Sequence, residues 1–300
     1  MTVQAISTVI TRFESQLGSR RLAQWLISGR EGSLLVDTGV VGTVAGPVAA
    51  GLGELGLGFD RLIEVVITHA DVDHYGGNAE LRQLAPAARI RTHPLDRAAI
   101  ERFETIAAER YGWYRQFGLD YPPEAWEWLR AVAGPDTPLD DELDAGATIE
   151  LGGVELEVLH LPGHSRGHLG LLEPASGTAI VADAAMGYGF ETVTGKRASP
   201  GPYVDLTAYR ETIEQLRELA PRRLETSHFA PLAGAEVGAF LDLSRHFTDD
   251  LERALERRRA TGLDSLPELL GPIARDLGDY PEMEVELARS IGAHLEARLR

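Results

Sequence analysis

Residues 68–78 read THADVDHYGGN and gather His69, Asp71, Asp73 and His74 within six positions, directly after the apolar run LIEVVI. Imidazoles and carboxylates at this spacing are ligands for divalent cations, and bound cations acidify water or polarise a carbonyl. Three further segments repeat the theme. His164 lies in a Gly-flanked turn in LHLPGHSRGHLG, Asp183 at the end of the apolar run in AIVADAA, and His228 in LETSHF. Seven nitrogen and oxygen donors exceed what one tetrahedral ion needs and suit two ions sharing a bridge. The scattered His93, His160, His246 and His294 read as ordinary surface or core histidines, and Asp37 in VDTG reads as a turn former.

Elements that could position these donors follow from the hydrophobic pattern. TVITRFES, RLAQWLIS and GSLLVDTG are short β-branched or apolar runs bounded by Gly, Ser and Asp, and they predict strands. RLIEVVIT is nearly continuous in apolar character, as expected of a strand buried on both faces. NAELRQLA then predicts a helix capped by Asn78, and ARIRTH the next strand. Residues 95–144 change to a helical pattern rich in aromatics. β character returns in ATIELGGVELEVLHLPG, LGLLEPASGTAIVADA and RRLETSHFAPL, and residues 235–300 are helical again. His69, Asp183 and His228 thus fall at the carboxyl ends of strands, where α/β sheets collect functional groups. The expected organisation is a catalytic unit over 1–234, interrupted by the helical insertion 95–144, and a helical extension over 235–300. That extension either packs on the core or forms a homodimer surface.

Composition narrows the partners. The chain is 44% hydrophobic and 25% charged, with a formal charge of −17 and no dense cationic block, so a nucleic-acid partner is not expected. The absence of cysteine excludes disulfides, thiolate nucleophiles and thiolate–zinc sites. No apolar run approaches the roughly 20 residues that span a bilayer, and the first residues lack an export pattern. A cytoplasmic enzyme acting on a small molecule, with no membrane partner, is the expectation.

The motifs resemble the metallo-β-lactamase superfamily, whose signature is His-x-His-x-Asp-His after a buried strand. The resemblance runs over roughly residues 8–231 and includes LLVDTG, the motif loop, LPGHSRGH, VADA and SHF in the expected order. It implies an α/β fold, an αββα sandwich with a dinuclear site at one edge of its two sheets. One metal would take His69, residue 71 and His164; the other Asp73, His74 and His228, with Asp183 bridging. His168 would be a packing or supporting residue. Two divalent ions are implied, zinc foremost, with Asp73 orienting the nucleophile and accepting its proton. The implied activity is glyoxalase II-like hydrolysis of an ester, thioester or lactone.

Position 71 departs from the pattern, because Asp stands where the family usually has His. Three carboxylates against two divalent ions leave a less positive centre, a weaker Lewis acid in which iron or manganese competes with zinc. Asp71 is also shorter than His and reaches a metal either directly or through water. A carboxylate at this position is shared with flavodiiron relatives, so a diiron redox enzyme is the alternative reading, and a non-catalytic metal-binding sensor a second. Trp113 and Tyr114 in the insertion are expected either to fill its own core or to cover the metals and enclose an apolar acyl group. Tyr188, Lys196 and Arg197, in the Gly-rich stretch after Asp183, are expected near the cleft, with a cation meeting a substrate carboxylate or phosphate.

Overall fold

The computed structural model describes residues 1–299. Its first sheet has seven strands in chain order: Thr2–Ala5, Ile10–Leu17, Arg20–Ser28, Ser33–Val36, Leu62–Val66, Arg89–Thr92 and Asp141–Glu142. Pairing is antiparallel through Ser33–Val36 and parallel beyond it. The second sheet runs Leu232–Ala233, Arg223–Glu225, Thr178–Ile180, Leu169–Glu173, Glu155–His160, Thr148–Glu150. Only the pairing of Thr178–Ile180 with Arg223–Glu225 is parallel there.

Alternation along the strands sorts side chains into layers. Trp25 and Ile27 join Leu156, Val158 and Leu171 of the other sheet in an apolar cluster between the two sheets. Leu26 points the opposite way and packs with helical residues in the larger cluster. The expected burial on both faces holds for the end of Leu62–Val66, with Val65 on the helical side and Val66 in the space between the sheets, whereas Ile63 nearer its start is exposed. Helix on sheet on sheet on helix is the architecture implied by the sequence.

Two local expectations are corrected. Asn78 is the first residue of the helix Asn78–Leu84 rather than its cap; Gly77 precedes it, and the Asn78 amide oxygen instead accepts from the Thr38 hydroxyl at 2.8 Å. The long helical pattern after Leu95 is broken into Pro94–Glu101, Phe103–Ile106, a wide turn over Ala107–Tyr111 and a tight one over Trp113–Phe117. Arg102 is extended there, and Asp136 accepts the Phe103 N–H at 2.9 Å, so a side chain supplies what a continuous helix would have supplied.

The helices Ala235–Arg259, Leu266–Leu277 and Leu287–Ala297 pack into the same large apolar cluster as the sandwich through Leu251, Leu269 and Leu287. They also meet the insertion. Trp113 lies so close to Gly292 that a Cβ there would sit 2.6 Å from the indole, and the Tyr121 hydroxyl donates to Glu286 at 2.9 Å. The two helical additions therefore close on each other over one edge of the sandwich.

A buried ion pair links the sheets at that edge. Arg12, on the first sheet and fully buried, donates to Glu225 at 3.0 Å and to the carbonyls of Thr226 and Phe229 at 2.9 and 2.8 Å. The Trp25 indole N–H also donates to Glu225, at 2.9 Å. Arg12→Met would strand the carboxylate without its cation, and removing one partner of such a pair costs about 3–5 kcal/mol. A urea titration should show a loss of that size; a change under about 1 kcal/mol would mean the pair is dispensable.

Candidate metal centre

Strand ends set the donors in place. His69, Asp183 and His228 each lie three residues beyond the strands Leu62–Val66, Thr178–Ile180 and Arg223–Glu225, and His164 lies four beyond Glu155–His160. The rings of His69, His74, His164 and His228 are all buried and anchored through Nδ1. His74 Nδ1–H donates to Asp37 at 2.8 Å, His164 to the Pro202 carbonyl at 2.6 Å and His228 to the Arg21 carbonyl at 2.8 Å. His69 Nδ1 lies 3.0 Å from the Thr68 hydroxyl, which itself donates to Asp37 at 2.9 Å, so the ring is the donor. A proton on Nδ1 leaves the Nε2 lone pair free, the tautomer a metal ligand requires.

The Nε2 atoms converge. Ligand atoms of His69, His164 and Asp183 lie within 4.8 Å of one another, as do those of Asp73, His74 and His228. Asp183 Oδ2 stands 3.3 Å from His228 Nε2 and 3.7 Å from His74 Nε2, so this carboxylate faces both groups. Asp73 Oδ2 is 3.4 Å from His228 Nε2. His69 Nε2 and His74 Nε2 are buried with no hydrogen-bond partner among the described residues. Leaving such atoms unmet is costly; with cations between the groups they are satisfied, and the donor set fits a pair of divalent ions. His168 stacks on His69 at 4.6 Å, and neither of its ring nitrogens has a hydrogen-bond partner among the described residues.

Asp71 is placed differently. It is absent from both triads; its Oδ2 lies 3.2 Å from His164 Nε2. Arg110, from the insertion, holds it with Nε 3.2 Å from Oδ1 and Nη2 3.3 Å from Oδ2, and the Tyr111 hydroxyl donates to Oδ1 at 3.4 Å. Burial alone would raise the Asp71 pKa, but Arg110 and then His164 hold it well below the usual carboxylate range.

Proton competition with metal follows from the same charges. Burial lowers the pKa of His74 and His164, yet Asp37, Asp183 and Asp73 around the first and Asp71 beside the second outweigh it and raise both. Ligation needs neutral rings, so metal must displace these protons. Zinc affinity should therefore fall roughly tenfold or more per pH unit on acidification from about pH 8 to pH 6, with protons released on binding in weak buffer. A pH-independent affinity would contradict the anchoring described here.

A family model, the metallo-β-lactamase superfamily, matches residues 23–228 and so takes in the whole donor set. The chain belongs to the metallo-β-lactamase superfamily. Among curated relatives it is 26% identical over 211 residues to an acyl-coenzyme A thioesterase, MBLAC2, of Gallus gallus, covering 67% of this chain and 68% of that one. It is 25% identical over 262 residues to a hydroxyacylglutathione hydrolase of a Synechococcus strain, covering 86% and 85%. Among solved structures, a metallo-β-lactamase family protein of Thermus thermophilus superposes with a TM-score of 0.74 at 22% identity, over 98% of this chain and 95% of that one.

Around this superfamily centre the structure opens two clefts that share Asp71. A small one of about 30 Å³ contains Asp73, Asp183 and His228, with Arg20, Phe190 and Trp128 at its rim. A larger one of about 430 Å³ has Asp71 and His164 at its floor and Leu95, Ile106, Trp113 and Arg289 among its walls. Trp113 thus faces the larger cleft, half-buried beneath the Arg289 guanidinium at 4.2 Å. Tyr114 is fully buried in the aromatic core of the insertion, edge-on to Tyr121 at 5.5 Å.

The other expected substrate contacts lie elsewhere. The Tyr188 hydroxyl bonds Asp250, and Arg197 bonds the Leu277 carbonyl while stacking over Tyr188 and Tyr280. Lys196 is exposed in the turn between Phe190–Glu191 and Arg197–Ser199. None of the three lines either cleft. Two residues to which the sequence assigns no part in the site, Asp37 and Arg110, touch the candidate ligands His74 and Asp71 directly. For Asp37 a signal existed: a buried-strand end one residue before Thr-Gly is a suitable place for a carboxylate that orients a ligand. Arg110 carried none, being one basic residue in a helical pattern. Among the described residues, no helix is long and apolar enough to cross a membrane.

Proposed function

We propose that the protein is a dinuclear metal-dependent hydrolase of small-molecule thioesters. The observation that carries this is the place of Asp183, a member of one donor triad whose Oδ2 lies 3.3 and 3.7 Å from the His228 and His74 nitrogens of the other. When bound, the ions supply Lewis acidity and lower the pKa of water from about 16 to about 7. His69, His164, His74 and His228 would hold them through Nε2, with the Asp183 carboxylate available to both groups. Asp73, whose side chain keeps 15% exposure at the cleft floor, orients the attacking water through one oxygen and accepts its proton. The thiolate is a good leaving group and departs without needing a strong acid.

Relatives named as an acyl-coenzyme A thioesterase and a hydroxyacylglutathione hydrolase support a thioester over a lactone or phosphodiester. The larger cleft, with Leu95, Ile106 and Trp113 beside His164, offers an apolar wall for the acyl or thiol arm. Zinc is the expected metal. The test is a hydrolase panel on zinc-loaded protein, with acyl-coenzyme A and S-acylglutathione substrates against lactones, phosphodiesters and β-lactams. Turnover of a thioester above all others is expected, and inactivity on both thioester classes sinks the reading. Trp113→Ala should raise KM on the best thioester by about tenfold, the effect of losing one large apolar contact, with kcat changed little.

A further inference from the structure

We propose that Arg110 is a positioning residue of the metal centre, the obligate partner through which Asp71 replaces a neutral imidazole. This rests on the dinuclear reading above. The guanidinium forks onto both oxygens of Asp71, at 3.2 and 3.3 Å, and its remaining terminal nitrogen donates to the Tyr114 hydroxyl at 3.2 Å. Tyr114 is fully buried, so the arginine is held from behind while it holds the carboxylate in front. Tyr111 completes the clamp, donating to Asp71 and accepting the Val72 N–H at 3.2 Å.

Two consequences follow. The first is geometric: an aspartate is shorter than a histidine, and a short carboxylate beside His164 Nε2, 3.2 Å away, keeps that orientation only if its other lone pairs are fixed. The second is electrostatic. The sequence alone counts three carboxylates against two divalent ions, but the fixed cation of Arg110 cancels one of them. Asp71 and Arg110 together are neutral, as an imidazole is, and the centre regains the positive charge that its usual ligand set would leave it. The charge contribution to a preference for harder ions is thereby offset, while the oxygen donor at position 71 remains.

The pair therefore behaves as a unit. Histidine at 71 with Arg110 kept leaves a largely desolvated guanidinium, 12% exposed, beside the first cation without its counter-ion. Aspartate at 71 without Arg110 leaves a loose, uncompensated carboxylate. Asp71→His together with Arg110→Gln removes both faults. The wild type, D71H, R110Q and the double variant are each loaded with zinc, desalted and assayed for metal by elemental analysis, with circular dichroism to confirm the fold. Two equivalents per chain are expected in the wild type and the double variant, and about one in each single variant. The first-site affinity should fall roughly 10- to 100-fold in the singles, the usual effect of losing a partner of a metal ligand.

Full occupancy in D71H, or a double variant as depleted as the singles, overturns the inference, because an arginine that merely braces the insertion would not be rescued by a change at position 71. Should R110Q not fold, D71H decides alone: loss of one equivalent supports the coupling and retention of two overturns it. A wild type holding one zinc at saturation overturns the dinuclear reading instead. The same cycle is then read on the dissociation constant of that zinc, and equal affinities in all four proteins overturn the inference.

Discussion

Asp183→Asn is expected to empty the metal centre and to lower thioester hydrolysis by about 10⁴-fold or more, since both Lewis acidity and the activated water depend on the ions. Asp183 is 3% exposed and has one oxygen within 3.7 Å of ring nitrogens that serve the second group, while it also completes the first group with His69 and His164. Asparagine keeps its shape but removes one negative charge and one acceptor. Burial tends to raise the Asp183 pKa, and His228 and His74 pull it well below the usual range, so the aspartate is ionised whenever the site is assembled. Elemental analysis beside kcat on the preferred thioester checks the prediction. A variant that keeps two ions and more than a hundredth of the activity would remove Asp183 from the bridging role.

Much of this centre is legible in the sequence because its parts are local. A strand announces itself by alternation or by an apolar run, and the donor follows a few residues later. His69, Asp183 and His228 share that grammar, and the layers follow from which strand residues are apolar on both faces. What the sequence hides is the partner found at long range. Asp37 does form the tight backbone that VDTG suggests, with φ of 62°, but its carboxylate also reaches Thr68 and His74, over thirty residues away. Arg12 and Glu225 meet across 213 positions. Arg110 lies in a helical pattern whose break at Arg102 no periodicity foretells. The Gly-rich stretch with Tyr188 and Arg197 looks like a mobile substrate loop, yet the C-terminal helices claim both side chains.

Asp37→Asn should cost the centre about 100-fold in zinc affinity, the upper range for losing a partner of a histidine ligand. Hydrolysis should fall further, by roughly 10³- to 10⁴-fold, as when an asparagine imposes the wrong histidine tautomer on a catalytic site. Asp37 accepts the Thr68 N–H on one oxygen at 2.7 Å and, on the other, both the Thr68 hydroxyl at 2.9 Å and His74 Nδ1–H at 2.8 Å. With the amide oxygen on the Thr68 N–H, the amide NH₂ of asparagine points at His74 Nδ1, which must then accept. The ring proton moves to Nε2, the atom that should bind metal. Asparagine tolerates the left-handed backbone, whereas alanine at φ of 62° is strained. Asp37→Ala should accordingly lose more thermal stability but less zinc affinity than Asp37→Asn, because His74 is free to keep its proton on Nδ1. Zinc titrations and unfolding midpoints on both variants read the two effects separately; an alanine variant weaker than asparagine in zinc binding would show that packing, not the tautomer, is what Asp37 supplies.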